Sequence, residues 1–323
     1  MSHPILERHL KNKALKPLYV FYGDEEFLMD RALARLEQGL TDQWGEAPAK
    51  VVRESHEIEL PEFLTESRVA SLWGPGQLLV LRRLVLNAEA FKAISDYLAR
   101  PAPRTWVVLL AEGAKARDLA KNPSFSRLQR EEAALGFLHL KEAELLQWLT
   151  QEARSLEKTL SLAAAQRLVE IVGDNLAELS QELEKLALYA GEEKTLTPNL
   201  VNQLATHSRT YNIFVLVEAL GEPTPTKRLT ALGQLLDLGE QPPKILVMLA
   251  RQLRQLIKFK ENDPGLNLSQ WNMRKLAQQA PRFSVAALRA HLFLLHEIDL
   301  RLKTSAGNPR LWLEWALLKM GSG

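Results

Sequence analysis

The chain has 323 residues, 46% hydrophobic and 25% charged, with a formal net charge of +2 and no cysteine. These values suit a globular protein of two or three domains; they exclude disulfides and thiolate metal sites, and leave any nucleic-acid contact to local basic patches. No run approaches the roughly 20 apolar residues that span a bilayer, and residues 1–15 are charged throughout with no apolar centre, so a cytoplasmic protein without a signal peptide is expected.

The first 140 residues alternate β-rich runs with helical patterns. Strands are predicted at 18–22, 50–53, 77–82, 106–111 and 136–140, with helices such as 27–40 and 88–98 between them. Leu78-Leu79-Val80-Leu81 and Val107-Val108-Leu109-Leu110 are apolar at every position, as parallel strands covered on both faces require. An α/β domain with a parallel sheet follows. After Lys141 the strand signals stop. Helices are predicted at 142–156, 161–172, 174–190 and 197–205, the third with Leu176, Leu179, Leu183 and Leu186 on one stripe and Asp174 as N-cap. Longer helices follow at 213–220, 225–238, 242–260, 272–279, 284–303 and 309–319; Pro225, Pro242, Pro243 and Pro309 stand at helix starts, where a missing amide proton costs nothing.

The strand-to-helix junction Gly23-Asp24-Glu25-Glu26-Phe27-Leu28 is the most telling segment. In a nucleotide-binding domain of this build the junction carries a glycine-rich loop and a lysine that cradle phosphates. Here one glycine, no lysine and three carboxylates stand at the phosphate position, where they repel a polyanion and suit the start of a helix as caps. A divalent-cation site is the weaker reading, because consecutive helical positions face different ways.

Other candidates are less specific. Arg251, Arg254 and Lys258 fall at i, i+3 and i+7 and make one basic stripe, either a solvated face or a contact for DNA phosphates or an acidic neighbour. Arg82, Arg83, Lys115, Arg117 and Lys121 are weaker basic groups. The seven histidines show no metal spacing, His291 and His296 lying on different helix faces, and no nucleophile elbow occurs. Leu311, Trp312, Leu313, Trp315, Leu317 and Leu318 leave the last helix apolar on more than one face, which calls for deep burial or a partner.

Local sequences carry a resemblance. The run from Leu18 to Leu28, Gly173-Asp174-Asn175-Leu176 with 182–189, Asn212-Ile213-Phe214 with 249–254, and 299–303 with Leu313-Glu314 resemble, in order and spacing, the delta subunit of bacterial DNA polymerase III. The resemblance spans nearly the whole chain. It implies a degenerate AAA+ or RecA-like α/β domain at 1–140 carrying the clamp-binding element, a small lid-like helical domain at 141–210, and a helical collar domain at 211–323.

The resemblance also implies a non-catalytic accessory subunit of a DNA-directed DNA polymerase holoenzyme, without cofactor or metal, that binds and opens a sliding clamp within a five-subunit clamp loader. Its implied partners are the clamp, the loader's ATPase subunits, the delta-prime subunit and primed DNA in the assembled complex. The clamp-binding element corresponds to Ser71, Leu72 and Trp73, just ahead of the strand at 77–82; filling the core where helix meets strand is the alternative role for Leu72 and Trp73. Competing classes are an active ATPase of the same superfamily with an unrecognised nucleotide site and a stand-alone DNA-binding protein, the latter disfavoured by near-neutral charge.

Overall fold

A computed structural model describes residues 3–68, 76–205, 209–222, 224–263, 266, 268, 270–304 and 307–320. They form two compact units, 1–140 and 141–323.

The first unit runs α1 (Pro4–Lys11), β1 (Leu18–Gly23), α2 (Glu26–Trp44), β2 (Ala49–Glu54), α3 (Leu60–Glu66), β3 (Gln77–Arg82), α4 (Ala88–Ala99), β4 (Thr105–Glu112), α5 (Ala116–Leu119), α6 (Pro123–Arg130) and β5 (Ala134–Phe137). The five strands are all parallel in the order β2-β3-β4-β1-β5. The two faces of the sheet divide the strand residues by parity. Tyr19, Phe21, Val80, Val108 and Leu110 pack with Met29, Leu33 and Leu36 of α2 and Leu6 of α1. Val20, Leu79, Leu81, Val107 and Leu109 pack on the other side with Phe63 of α3, Phe91 and Ile94 of α4 and Phe125 of α6. Burial on both faces explains the unbroken apolar runs. The edge strand β2 is largely exposed, and Lys50 and Arg53 put charge on it, a common device against edge-to-edge pairing.

Three expectations need correction. The fifth strand is Ala134–Phe137 rather than 136–140; its partners on β1 begin at Val20, which sets its register. Asp174 is not the cap of its helix: Asn175 accepts the Glu178 amide at 3.0 Å, and Asp174 instead accepts from the Asn272 side chain at 3.0 Å. Strands also do not stop at Lys141, since two-residue segments pair in parallel further on. Such short pairs leave almost no periodic signal.

The second unit runs α7 (Glu142–Ser155), β6 (Thr159–Leu160), α8 (Leu162–Val172), α9 (Leu176–Tyr189), β7 (Thr195–Leu196), α10 (Pro198–Ala205), α11 (Arg209–Leu220), α12 (Pro225–Asp237), α13 (Pro242–Lys260), α14 (Gln270–Gln279), a 3-10 turn (Ala280–Arg282), α15 (Val285–Thr304) and α16 (Pro309–Met320). Its larger core joins Leu216, Leu232, Leu249, Leu288, Leu295 and Leu313 from five helices. Arg228 is buried there, donating to the carbonyls of Ala219 at 3.0 Å, Leu317 at 3.4 Å and Glu222. These acceptors satisfy a charged group that water no longer reaches.

A buried polar chain holds α1 against β1. The Lys16 amide donates to the Tyr19 hydroxyl at 3.1 Å, which meets His9 Nδ1 at 2.8 Å; His9 Nε2 meets Glu132 at 3.0 Å. Burial pushes the Tyr19 phenol from its ordinary 10.0 up to about 12, with the Lys16 amide working against the shift and the Glu132 charge adding to it. A raised phenol means that folding favours the neutral form. The stabilisation is therefore complete below pH 10 and lost as pH rises through about 12, amounting to about 2–3 kcal/mol. Urea unfolding across that alkaline window should show the loss, and Tyr19→Phe should flatten this part of the profile; an unchanged slope in the variant would disprove the assignment.

Candidate functional site

The chain leaves β1 toward α2 on one sheet face and leaves β4 toward α5 and α6 on the other. The β1/β4 boundary is thus the switch point where open α/β sheets bind ligands, outside the carboxyl ends of the strands. Here that crevice is closed by the protein's own groups.

Gly23 ends β1 at φ 131°, and a Cβ on it would lie 2.0 Å from the carbonyl oxygen of Phe137. Only glycine fits. The close approach lets the Glu25 amide donate to Phe137 O at 3.0 Å and the Gly113 amide to Gly23 O at 2.6 Å. The tips of β4, β1 and β5 are tied together through the backbone.

The expected capping role of the carboxylates is not what the structure places there. Glu25 is at the N-cap of α2 without a side-chain bond to the helix. Asp24 accepts the His139 backbone amide at 2.9 Å, and Glu25 lies 3.5 Å from His139 Nδ1. Both side chains fasten the segment after β5, so the bond partners come from 115 residues away and leave no local sequence signal. Glu26 stands in the first turn of α2, where negative charge favours the helix.

The neighbouring strand tip is filled by ion pairs. Arg82, at the end of β3, bonds Asp30 of α2 at 2.8 Å and Glu112 of β4 at 3.2 Å. Burial works against its charge, but these two carboxylates outweigh it and hold the guanidinium above its ordinary range. The other oxygen of Glu112 accepts the Arg83 amide at 2.7 Å, and Arg83 reaches Glu54 at 3.2 Å. A phosphate at this crevice would face Asp24, Glu25 and Glu26 and find Arg82 already neutralised. The arrangement is suited to rigidity and repels anions.

Other sequence candidates fall elsewhere. Ser71, Leu72 and Trp73 lie outside the described residues. Arg251, Arg254 and Lys258 are exposed on one face of α13, with Asp263 3.6 Å from Lys258. Lys121 pairs with Asp118 at 3.2 Å. Among the described residues no group of three or more His, Asp or Glu side chains is placed to hold a metal; His291 is buried, which lowers its imidazole pKa, while His296 is exposed. On α16, Leu313, Ala316 and Leu317 are buried while Leu311, Trp315 and Leu318 are exposed. No helix among the described residues is long and apolar enough to cross a membrane.

Comparison with known proteins gives a consistent result. The family model for the DNA polymerase III delta subunit, C-terminal domain, matches residues 210–320, and a model described as a middle domain matches residues 141–203. The chain is 26% identical to the DNA polymerase III subunit delta of Bacillus subtilis (strain 168), with 97% of this chain and 95% of that one covered. It is 27% identical to the corresponding subunit of Escherichia coli (strain K12), with 64% and 63% covered. The solved structure of the Bacillus subtilis DNA clamp loader delta protein (YqeN) shares the fold at a TM-score of 0.77 and 23% identity, covering 98% of this chain and 99% of that one. The resemblance read from the sequence thus extends from the first strand to the last helix, and the fold class is a parallel α/β sheet unit followed by helices.

Two outcomes are expected of this site. Gly23→Ala should destabilise the protein by about 3 kcal/mol or more, or prevent folding, because a backbone carbonyl occupies the space of the new methyl; urea unfolding checks it, and a change under about 1 kcal/mol would contradict the geometry. Equilibrium dialysis with magnesium and ATP should show no saturable site, whereas stoichiometric binding would show that the crevice opens.

Proposed function

We propose that this chain, a DNA polymerase III delta subunit by its similarity along nearly the whole length, acts in a clamp loader as the non-catalytic subunit that binds a sliding clamp and biases it toward the open ring. The observation that carries the reading is the closed β1/β4 crevice. A delta-like fold whose nucleotide position is occupied by Arg82, Glu112 and the 24–26 carboxylates is suited to work by contact rather than by hydrolysis. Work on the ring then comes from differential affinity: a surface that fits the open clamp better than the closed one shifts its population.

In this reading the three parts divide the task. Residues 1–140 carry the clamp-binding element at Ser71, Leu72 and Trp73, by family correspondence. Residues 141–210 form a lid-like connector. Residues 211–323 form the collar that joins the loader's ATPase subunits and the delta-prime subunit. The exposed Leu311, Trp315 and Leu318 on α16 support a collar contact, since they form an apolar face on a helix already buried along its other side. Arg251, Arg254 and Lys258 face outward from the same unit and are available to primed DNA or an acidic neighbouring subunit. The subunit acts in the cytoplasm, where replication takes place. An active ATPase is the second reading, and the charge at the crevice speaks against it.

Leu72 and Trp73 decide the proposal. A tryptophan entering a partner pocket buries roughly 150–250 Å² and makes a hot spot. Leu72→Ala with Trp73→Ala should weaken binding of the purified clamp by about 3 kcal/mol, roughly a hundredfold, with little change in the thermal unfolding midpoint. A large fall in the midpoint with unchanged clamp affinity would assign both side chains to the core and overturn this site.

A further inference from the structure

A cavity of about 280 Å³ opens beside the amino end of β1, between α4 and α6. Buried Phe91 and Phe125 bring the two helices together edge to face, their ring centres 6.2 Å apart. Toward the end of α4 the side chains facing the gap are Ser95 and Ala99, which are too short to fill it. Leu18, Leu98 and Leu128 give the cavity an apolar wall.

Its charged groups leave one positive charge unbalanced. Arg127 donates to Glu131 at 2.7 Å, so that pair is neutral. Lys16 lines the same cavity, is half-buried, and has no ion pair among the described residues. Its backbone is held on both sides: the Lys16 amide donates to the Tyr19 hydroxyl at 3.1 Å, and the Pro17 carbonyl accepts the Val107 amide at 3.0 Å. The lysine therefore reaches the cavity from a rigid base, and its stem can lie along apolar surface while the ammonium stays polar. Ser124, in the first turn of α6, has a hydroxyl without a hydrogen bond among the described residues and supplies a second donor.

We infer that this cavity binds the carboxyl terminus of a peptide chain that ends in an apolar residue. Its volume lies at the small end of ligand pockets, near about 300 Å³, and suits a single residue. Within one residue the wall asks for an apolar side chain, and Lys16 with Ser124 asks for an anion that accepts hydrogen bonds. An internal aspartate or glutamate meets only the second demand. A chain end meets both, because its carboxylate and its side chain share one Cα. A nucleic-acid phosphate would bring no apolar group for the leucines and would face Glu131. Ser95, Ala99 and Glu131 are exposed, so the rest of the bound chain can leave toward solvent on their side.

The test is an NMR titration of the isotopically labelled full chain with acetyl-alanyl-alanyl-leucine, as the free acid and as its C-terminal amide. The free acid should saturate in the millimolar range, with shift changes centred on the amides of Lys16, Leu18, Ser124 and Leu128. The amide should bind about tenfold more weakly, and Lys16→Met, which keeps the stem and the backbone bond, should weaken the free acid by a similar factor. Ala99→Phe should fill the cavity and abolish binding. Both variants should keep the unfolding midpoint; if Ala99→Phe lowers it, Lys16→Met still decides. Equal binding of acid and amide, unchanged affinity in Lys16→Met, shifts centred elsewhere, or no saturation would each overturn the site. Binding of acetyl-leucine without binding of the tripeptide would overturn the chain-end assignment in favour of a small free acid.

Discussion

The close passage of Gly23 beneath the Phe137 carbonyl is the constraint on which the α/β unit depends. β1 is flanked by β4 and β5, and its last residue must pass a backbone oxygen where any Cβ would sit at 2.0 Å. Because the position is glycine, the amides of Glu25 and Gly113 close their bonds across the three strand tips. α2 therefore starts from a fixed point, and its apolar face of Met29, Leu33 and Leu36 meets the sheet in register. Substitution anywhere in a strand disturbs packing; at Gly23 it disturbs the arrangement of strands itself.

Closure of the crevice has an electrostatic consequence. The sheet of a nucleotide-binding domain gains binding power at its carboxyl end from unpaired amides and cations. Here Gly113 and Glu25 spend their amides on neighbouring carbonyls, Arg82 is shared between Asp30 and Glu112, and the charge left over is negative. The carboxyl end of the sheet is thus consolidated by internal pairs.

The helical unit shows the same economy of polar groups. Trp271 lies against Gly173, where a Cβ would be 3.2 Å from its ring, and the adjacent Asp174 is held by Asn272. α14 thus fastens the turn between α8 and α9. Arg228 gathers carbonyls at the ends of α11 and α16, so the last helix is fixed at its carboxyl end by a buried cation, consistent with the negative end of its dipole. Its other face remains apolar and exposed at Leu311 and Trp315.

Patterning alone determined the parallel α/β unit and the helices after it, because apolar runs and helical stripes report local burial at fixed periods. β3 and α13 coincide with their expected bounds for that reason, and the double-faced character of α16 was legible as an excess of apolar positions. The absence of a phosphate loop could also be read locally, since it depends only on residue types at 23–28. Tertiary structure decided what those residues do instead. Asp24 turns to an amide at position 139, Arg82 to carboxylates on two other elements, and Asp174 to Asn272. Hydrogen bonds and charge pairs act over a few ångströms in space without regard to separation along the chain, so a linear pattern records which groups are available and only the fold determines which of them meet.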